Sequence, residues 1–167
     1  MGPTPTLELP PPFEEALRRH DREIMRYLLR TTGDREDALD LFQETWLRAY
    51  RAYPQLDSAA GLRPWLFRIA TNLCLNRTRD RARRSRVISG DTSNQVIDQR
   101  CAADPGHDGV LHLKAIIARL PAKQRQALVM RKFGGLDYGE IAAALGCSPD
   151  AARADVYQAM KKLKAAN

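Results

Sequence analysis

Apolar residues recur with a helical period along most of this chain, and no segment of convincing length alternates with the period of two that a β-strand requires. The chain has 167 residues, enough for one medium domain or two small ones. Gly33, Pro54 and Pro121 interrupt the helical pattern, as helix-ending residues do. Asp34, directly after Gly33, is predicted to cap the next helix. The pattern therefore predicts an all-α fold built from several separate helices.

Residues 87–109 break the helical pattern and divide the chain in two. The segment VISGDTSNQVIDQRCAADPGHDG loses apolar periodicity and gains Gly, Asp, Ser and Pro, which is typical of a linker. Residues 13–86 before it and residues 110–167 after it each contain several periodic helical segments. The Pro-rich residues 1–12 are predicted to be a disordered leader. The predicted architecture is two helical domains joined by a flexible linker, the C-terminal one containing a helix-turn-helix.

Charge is distributed unevenly along the chain, whose net charge is +7. Residues 1–86 carry 16 Arg and 12 acidic residues, and residues 110–167 carry ten basic and four acidic residues, whereas the segment between them is net acidic. Two basic blocks around an acidic spacer indicate two modules that can each approach a polyanion such as nucleic acid. Charge alone leaves open the alternative that the basic surface only aids solubility.

Cysteine use and hydropathy indicate the compartment. The three cysteines lie far apart and form no CxxC pair, so the sequence contains no disulfide framework. It also contains no apolar run of membrane-spanning length and no signal peptide. These features predict a cytoplasmic, reduced protein without membrane insertion.

Motifs of the common enzyme classes and metal sites are missing from the sequence. It has no nucleophile elbow, P-loop, GxGxxG or HExxH motif. Cys101, His107 and His112 fit no standard zinc-finger spacing. The sequence therefore predicts no catalytic residues, no metal, no cofactor and no small-molecule substrate.

The C-terminal segment YGEIAAALGCSPDAARADVYQAMKKLK contains the most specific local pattern. The small Ala142 allows two helices to cross closely, and Gly146 can adopt the positive φ that a tight turn needs. Ser148 is suited to cap the following helix, and Pro149 to occupy its first position. An ordinary αα-hairpin is the alternative, but the surrounding basic block favours a DNA-binding helix-turn-helix.

A basic and aromatic segment lies in the first module. Trp65 stands near the start of a helix that continues through Arg68, Asn72 and Asn76 into an arginine-rich end. Arginines bind phosphates, asparagine amides can read base edges, and an aromatic ring can stack on an unpaired base. Two alternatives are that Trp65 is a core residue, since it also falls in the apolar stripe of its helix, and that the arginines form a solvated helix end.

An acidic face is predicted on the preceding helix. Asp37, Asp40 and Glu44 are spaced i, i+3, i+7, which suggests a divalent metal site. No histidine or further carboxylate converges on them in the sequence. A charged surface, or a patch for a basic partner, is therefore the preferred interpretation.

Three long motifs, in the right order, resemble the extracytoplasmic-function (ECF) group of sigma factors in the sigma-70 family. DALDLFQETWLRAYR resembles the segment with which these factors grip core RNA polymerase. PWLFRIATNLCLNRTR is similar to their WLxRIAxNxxxD/NxxR helix. LPAKQRQALVMRKFGGLDYGEIAAALGCSPDAARADVYQAMKKL is similar to LPxxxRxxxxLRxxxGLSYxEIAxxLGxSxGTVKSRLxRAxxxL. The resemblance covers residues 13–164.

The resemblance implies an alternative sigma factor that directs promoter-specific transcription initiation. Residues 13–86 would be sigma region 2, which binds core polymerase and recognises and melts the −10 element. Residues 110–167 would be sigma region 4, which reads the −35 element. The implied partners are core RNA polymerase, promoter DNA and an anti-sigma factor. The alternatives are a free-standing helix-turn-helix regulator and, more remotely, a nuclease or recombinase.

The resemblance also implies three sets of site residues. The set implied for core binding is Asp37, Asp40, Leu41, Gln43 and Glu44. The set implied for the −10 element is Leu56, Arg63, Trp65, Arg68, Asn72, Asn76 and Arg77. The set implied for the −35 element is Ser148, Arg153, Ala154, Tyr157, Gln158 and Lys161.

The recognition helix departs from the family pattern. Ala-Ala-Arg-Ala-Asp, residues 151–155, stands where the family has Thr-Val-Lys-Ser-Arg. At 100° per residue, Asp155 lies about 90° from the centre of the predicted buried stripe. This flank position predicts that Asp155 need not face a phosphate; it could pair with a basic residue of a neighbouring helix or accept from a cytosine amine.

Overall fold

The computed structural model describes residues 9–89 and 108–166, and within these ranges it contains only helices and their connections. The α-helices are α1 (Phe13–Thr32), α2 (Arg35–Ala52), α3 (Leu62–Ser89), α4 (Asp108–Arg119), α5 (Ala122–Lys132), α6 (Tyr138–Leu145) and α7 (Pro149–Ala165). Two short 3₁₀ helices, Tyr53–Gln55 and Ala59–Gly61, connect α2 to α3. The all-α prediction is confirmed. Most of the predicted leader and linker, residues 1–8 and 90–107, lie outside the described residues.

Helix α1 ends and helix α2 begins at residues that the sequence predicts as helix boundaries. Gly33 ends α1 in the left-handed conformation, with φ 72°. Asp34 caps α2, because its carboxylate accepts a hydrogen bond of 2.9 Å from the backbone N–H of Asp37. These two residues reverse the chain, so that α1 and α2 pack against each other.

The first bundle packs α1, α2 and α3 around a core of aliphatic and aromatic side chains. Tyr27 and Phe67 are buried, with their rings edge-on at 5.2 Å between centroids. The hydroxyl of Tyr27 shares a hydrogen bond of 2.9 Å with that of Thr71. Burial raises the pKa of Tyr27 well above its usual value, so the phenol stays neutral.

The second bundle packs α5, α6 and α7, with α4 lying against α7. Leu128, Ile141, Ala152 and Val156 are buried between these helices. The predicted apolar stripe of α7 is thus the face that packs inward.

The two bundles also pack against each other, α6 on α3 and α5 on α1. Leu66 of α3 belongs to the same buried cluster as Ile141 of α6. The guanidinium of Arg30 lies 4.1 Å from the ring centroid of Phe133 across this interface. This contact was not predicted from the sequence, which indicated two modules but not their mutual packing.

No helix in the described part of the chain combines the length and apolar character that crossing a membrane requires.

Candidate nucleic-acid interface

A row of polar side chains runs along the solvent-facing side of α3. Arg68, Asn72 and Asn76 follow one another at intervals of four residues, and all three are exposed. Residues four apart share a helix face, so the row extends about 12 Å along the helix. A guanidinium is a group able to bind a phosphate, and the two amides in line with it are groups able to read base edges.

Trp65 lies near the start of this row and is half-buried. Its ring meets that of Tyr53 at 61°, with centroids 6.3 Å apart, and the Tyr53 hydroxyl donates a 2.6 Å hydrogen bond to the carbonyl of Pro11. Leu56, also half-buried, follows the first 3₁₀ helix. The indole therefore packs against Tyr53 and remains partly accessible. Phe67, the other aromatic residue of the segment, is fully buried and unavailable for stacking.

Arg63, another predicted −10 contact, is bonded within the protein. Its Nε donates to Glu23 at 3.1 Å, its Nη1 donates to both carboxylate oxygens of Glu140 at 3.3 Å, and its Nη2 donates to the carbonyl of Gly134. Burial on its own would raise the pKa of Glu23, but the hydrogen bond with His20 and the neighbouring Arg63 lower it on balance.

Arg77, the last predicted −10 contact, pairs with an acidic residue of α2. Its Nη1 donates to Asp37 at 3.0 Å, and Arg81 donates to the other oxygen of the same carboxylate. The Asp37 side chain is only 12% exposed. The structure thus places Asp37 between α2 and α3, inside the acidic face that the sequence predicts for core binding.

The remaining acidic face of α2 is accessible. Asp40 and Gln43 are exposed, and Glu44 accepts a 2.6 Å hydrogen bond from Arg48 one turn later. Leu41, by contrast, is 2% exposed and belongs to the core. Of the five predicted core-binding residues, three therefore present side chains to a partner. The described residues contain no group of three or more potential ligands that could hold a metal ion.

The turn between α6 and α7 has the predicted helix-turn-helix geometry. Gly146 adopts φ 65°, and the N–H of Cys147 donates to the carbonyl of Ala142 at 3.0 Å. Ser148 caps α7, accepting from the N–H of Ala151 at 3.1 Å, with a proline at the first helical position. The turn is closed by hydrogen bonds among neighbouring residues, as the sequence pattern predicts.

The outer face of α7 carries the predicted −35 residues. Arg153, Ala154, Gln158 and Lys161 are all exposed, as is Ser148 at the helix N-terminus. Tyr157 is 65% exposed, which is unusual for a large aromatic side chain. These residues form one accessible surface on a helix whose opposite face is buried.

Tyr138, at the first position of α6, is a candidate that the sequence reasoning missed. The guanidinium of Arg153 lies 5.2 Å from its ring centroid, and that of Arg131 lies 4.8 Å from it. Both distances suit cation–π contacts. The signal was an aromatic residue in a basic segment, but only the fold brings the two arginines to it.

Asp155 occupies the flank of α7 that its helical angle predicts. It is half-buried, while Ala154 and Gln158 on either side are exposed. Among the described residues, no basic side chain lies within ion-pair distance of it. Cys147 is nearby: burial raises the pKa of that thiol, and the charge of Asp155 raises it further.

The described cysteines are poor nucleophiles. Burial raises the pKa of Cys74 to about 12, and the pKa of Cys147 is also raised. Both side chains therefore stay as thiols near neutral pH. Cys101 and His107 lie outside the described residues, so the structure does not bear on a zinc site there.

Two sequence families match the chain, one for each bundle. The family described as Sigma-70 region 2 matches residues 16–84. The family described as Sigma-70, region 4, matches residues 112–163. These two ranges contain the exposed row of α3 and the outer face of α7.

Curated relatives match nearly the whole chain. The ECF RNA polymerase sigma factor SigE of Mycolicibacterium smegmatis is 31% identical over 161 residues, a match that covers 92% of this chain and 61% of the relative. The chain thus spans about three fifths of the length of SigE. The ECF RNA polymerase sigma factor SigC of Mycobacterium tuberculosis is 30% identical over 153 residues, covering 92% of this chain and 82% of the relative.

A solved structure has the same fold. The sigma factor RpoE in complex with the anti-sigma factor NepR, from Bartonella quintana, matches with a TM-score of 0.75 at 23% identity. The match covers 92% of this chain and 95% of RpoE. The similarity therefore extends over both bundles.

Proposed function

The chain belongs to the ECF group of the sigma-70 family, and from this membership we propose that it binds core RNA polymerase and directs promoter-specific transcription initiation. It would act as a dissociable subunit that supplies specificity, while the polymerase supplies the chemistry. It would work in the cytoplasm, where polymerase and promoter DNA are found.

The observation that carries the proposal is that one chain exposes two separate surfaces whose side chains are suited to nucleic acid. One is the polar row of α3 beside Trp65, and the other is the outer face of α7. A free-standing helix-turn-helix regulator would use the second surface and leave the first without a role.

The proposed role of the α3 surface is to read the −10 element as a single strand. Trp65 and Leu56 would form the apolar side of a pocket for an unpaired base, and Asn72 and Asn76 would read base edges. Arg68 would neutralise a phosphate. Extruding a base from the stack costs a few kcal/mol, which stacking and amide hydrogen bonds in such a pocket can offset.

The proposed role of α7 is to read the −35 element in duplex form from the major groove. Arg153 would contact a guanine or a phosphate, and Tyr157 would contact bases or backbone. Ser148, Gln158 and Lys161 would make the flanking polar contacts. The short Ala154 side chain would allow α7 to approach the DNA closely.

The proposed polymerase surface is the exposed acidic side of α2. Asp40, Gln43 and Glu44 would contact a basic surface of the polymerase directly. Asp37 and Leu41 would support this surface indirectly, because Asp37 joins α2 to α3 and Leu41 belongs to the core.

We also propose a protein inhibitor of the anti-sigma class as a partner. Support comes from RpoE, whose fold matches both bundles of this chain and which was solved bound to the anti-sigma factor NepR. An inhibitor of this class would hold the chain away from the polymerase.

The deciding experiment is reconstitution with core polymerase, followed by genome-wide mapping of the transcripts that depend on this chain. We expect the purified chain to bind core polymerase and to direct transcription from a defined set of promoters. Tight binding to duplex DNA without core polymerase, together with no promoter-specific transcription, would instead identify a free-standing regulator.

A further inference from the structure

Tyr53 connects the segment before α1 to the proposed base pocket. It is the first residue of the 3₁₀ helix that follows α2, and its hydroxyl donates a 2.6 Å hydrogen bond to the carbonyl of Pro11, 42 positions earlier in the sequence. Burial raises the pKa of Tyr53 above its usual value, and the charge of Glu15 raises it further. The hydroxyl therefore keeps its proton and remains a hydrogen-bond donor at neutral pH.

The acceptor of this hydrogen bond belongs to a stiff stretch of backbone. Proline fixes its own φ and also restricts the residue before it, so Pro11 and Pro12 have few accessible conformations. Pro12 is the N-cap of α1, and its carbonyl accepts backbone hydrogen bonds of 2.9 and 3.1 Å from Glu15 and Ala16. The start of α1 thus fixes the position of the Pro11 carbonyl.

Phe13, the first residue of α1, anchors the same stretch among three aromatic rings. Its ring centroid lies 5.9 Å from that of Trp46, 5.1 Å from that of Tyr50 and 5.2 Å from that of Tyr53, edge-on in each case. Edge-to-face pairs at these distances are favourable beyond the area that they bury. Tyr53 is therefore held twice, by Pro11 through its hydroxyl and by Phe13 through its ring.

Tyr53 also contacts the two residues that would form the apolar side of the base pocket. Its ring meets that of Trp65 at 61°, with centroids 6.3 Å apart. Its backbone carbonyl accepts a 3.0 Å hydrogen bond from the N–H of Leu56. One residue thus links the fixed start of α1 to both Trp65 and Leu56.

The orientation of the Trp65 ring matters because the indole is only half-buried. A partly accessible side chain that loses a neighbouring contact gains conformational freedom. That freedom must be given up again when a base stacks on the ring, which weakens binding. A contact that fixes the indole beforehand therefore favours capture of the base.

We propose that Tyr53 is a positioning residue for promoter opening: anchored to Pro11, it holds Trp65 and Leu56 in the arrangement that receives an unpaired base. The role of this pocket in opening rests on the proposed function. The effect of Tyr53 on Trp65 in the free chain does not, so the two are tested separately.

The first test follows the two tryptophans of the free chain by fluorine NMR after incorporation of fluorotryptophan. The Trp65 signal is identified by its loss in Trp65→Phe. Tyr53→Phe keeps the ring and removes only the hydroxyl that bonds to Pro11. The matched control is Tyr27→Phe, which removes the same group and breaks the 2.9 Å hydrogen bond to Thr71 in the core of the same bundle.

We expect Tyr53→Phe to move the Trp65 signal towards that of free fluorotryptophan. Tyr27→Phe should lower the unfolding temperature and leave the Trp65 signal in place. An unchanged Trp65 signal in Tyr53→Phe would overturn the positioning role. An equal displacement in Tyr27→Phe would also overturn it, because the effect would then be a general loosening of the bundle.

The second test measures promoter opening with core polymerase and a promoter found by transcript mapping. Tyr53→Phe should lower the ratio of open to closed complexes roughly two- to tenfold, the factor that corresponds to the net contribution of one hydrogen bond, and leave core affinity unchanged. In a Trp65→Ala background the same substitution should have no further effect.

An unchanged ratio in Tyr53→Phe, or an equal fall in the Trp65→Ala background, would overturn the proposal, since Tyr53 would then not act through Trp65. A wild-type chain that does not bind core polymerase would overturn the proposed function and leave the NMR result on the free chain intact.

Discussion

Replacing Asp37 by asparagine separates a structural role of this carboxylate from a direct polymerase contact. The side chain is 12% exposed, and its two oxygens accept from Arg77 and Arg81 of α3. It also lies in the first turn of α2, where a negative charge is favourable because the helix dipole is positive. Asparagine keeps the size of the side chain and removes its charge.

The expected fall in unfolding free energy follows from these contacts. Two charge-assisted hydrogen bonds are weakened, but the arginines are about a third exposed and regain water, so we assign about 1.5 kcal/mol to their loss. Losing a charge in the first turn of α2 adds about 0.5 kcal/mol. The total of about 2 kcal/mol corresponds to a fall in Tm of about 4–8 °C for a chain of this size.

The assay is thermal and urea unfolding of the free chain, beside a titration of core polymerase. Asp40→Asn is the matched comparison, because the Asp40 side chain is 68% exposed and lies 3.9 Å from Arg77. We expect Asp40→Asn to weaken core binding with a change in unfolding free energy below about 0.5 kcal/mol. An Asp37→Asn variant with wild-type Tm and lost core binding would refute the structural role.

Four further predictions concern single positions. Asn72→Ala should leave stability unchanged, since the side chain is exposed. It should lower the open-complex yield about tenfold, because a base contact is lost, and an unchanged yield would remove Asn72 from the −10 surface. Gly146→Ala should lower the unfolding free energy by about 1 kcal/mol, because φ is 65° at that turn, and equal stability in urea would contradict this. Tyr138→Leu should weaken −35 duplex binding about two- to fivefold while Tyr138→Phe does not; if Tyr138→Leu has the same effect in an Arg153→Ala background, the ring does not act through that arginine. Folding lowers the pKa of Glu23 from about 4.5, so the stability that its carboxylate contributes is complete above that pH and is lost as the pH falls through the lower folded value. The fall in unfolding free energy caused by Glu23→Gln should therefore shrink from pH 7 towards pH 3. A fall that does not depend on pH would contradict the assignment.

Turns and caps were predictable because each depends on residues within four positions. Gly33 and Asp34 between α1 and α2, and Gly146 and Ser148 between α6 and α7, adopt the predicted geometry. Their preferences come from backbone sterics and from hydrogen bonds to adjacent N–H groups. Such signals survive in any tertiary context that leaves the helices intact.

The buried face of α3 was predicted less well. The apolar period placed Trp65 in the buried stripe, but the structure leaves it half-buried and buries Phe67, Thr71 and Cys74 completely or nearly so. The helix is covered by α1 and α2 and also by α6. A helix packed on two sides buries a wider face than a single stripe indicates.

By itself, the sequence determined the helical class, the turns, the division into two basic modules and the polar row of α3, because period, capping and composition are local properties. Tertiary structure alone decided which charged groups stay free for partners. Arg63 and Arg77 were predicted to contact DNA on equal terms with Arg68, yet the fold pairs the first with Glu140 and the second with Asp37 while leaving Arg68 exposed. The reason is physical: the partner of a charge lies 40 or more positions away, and only the packing of helices brings the two within a few ångströms.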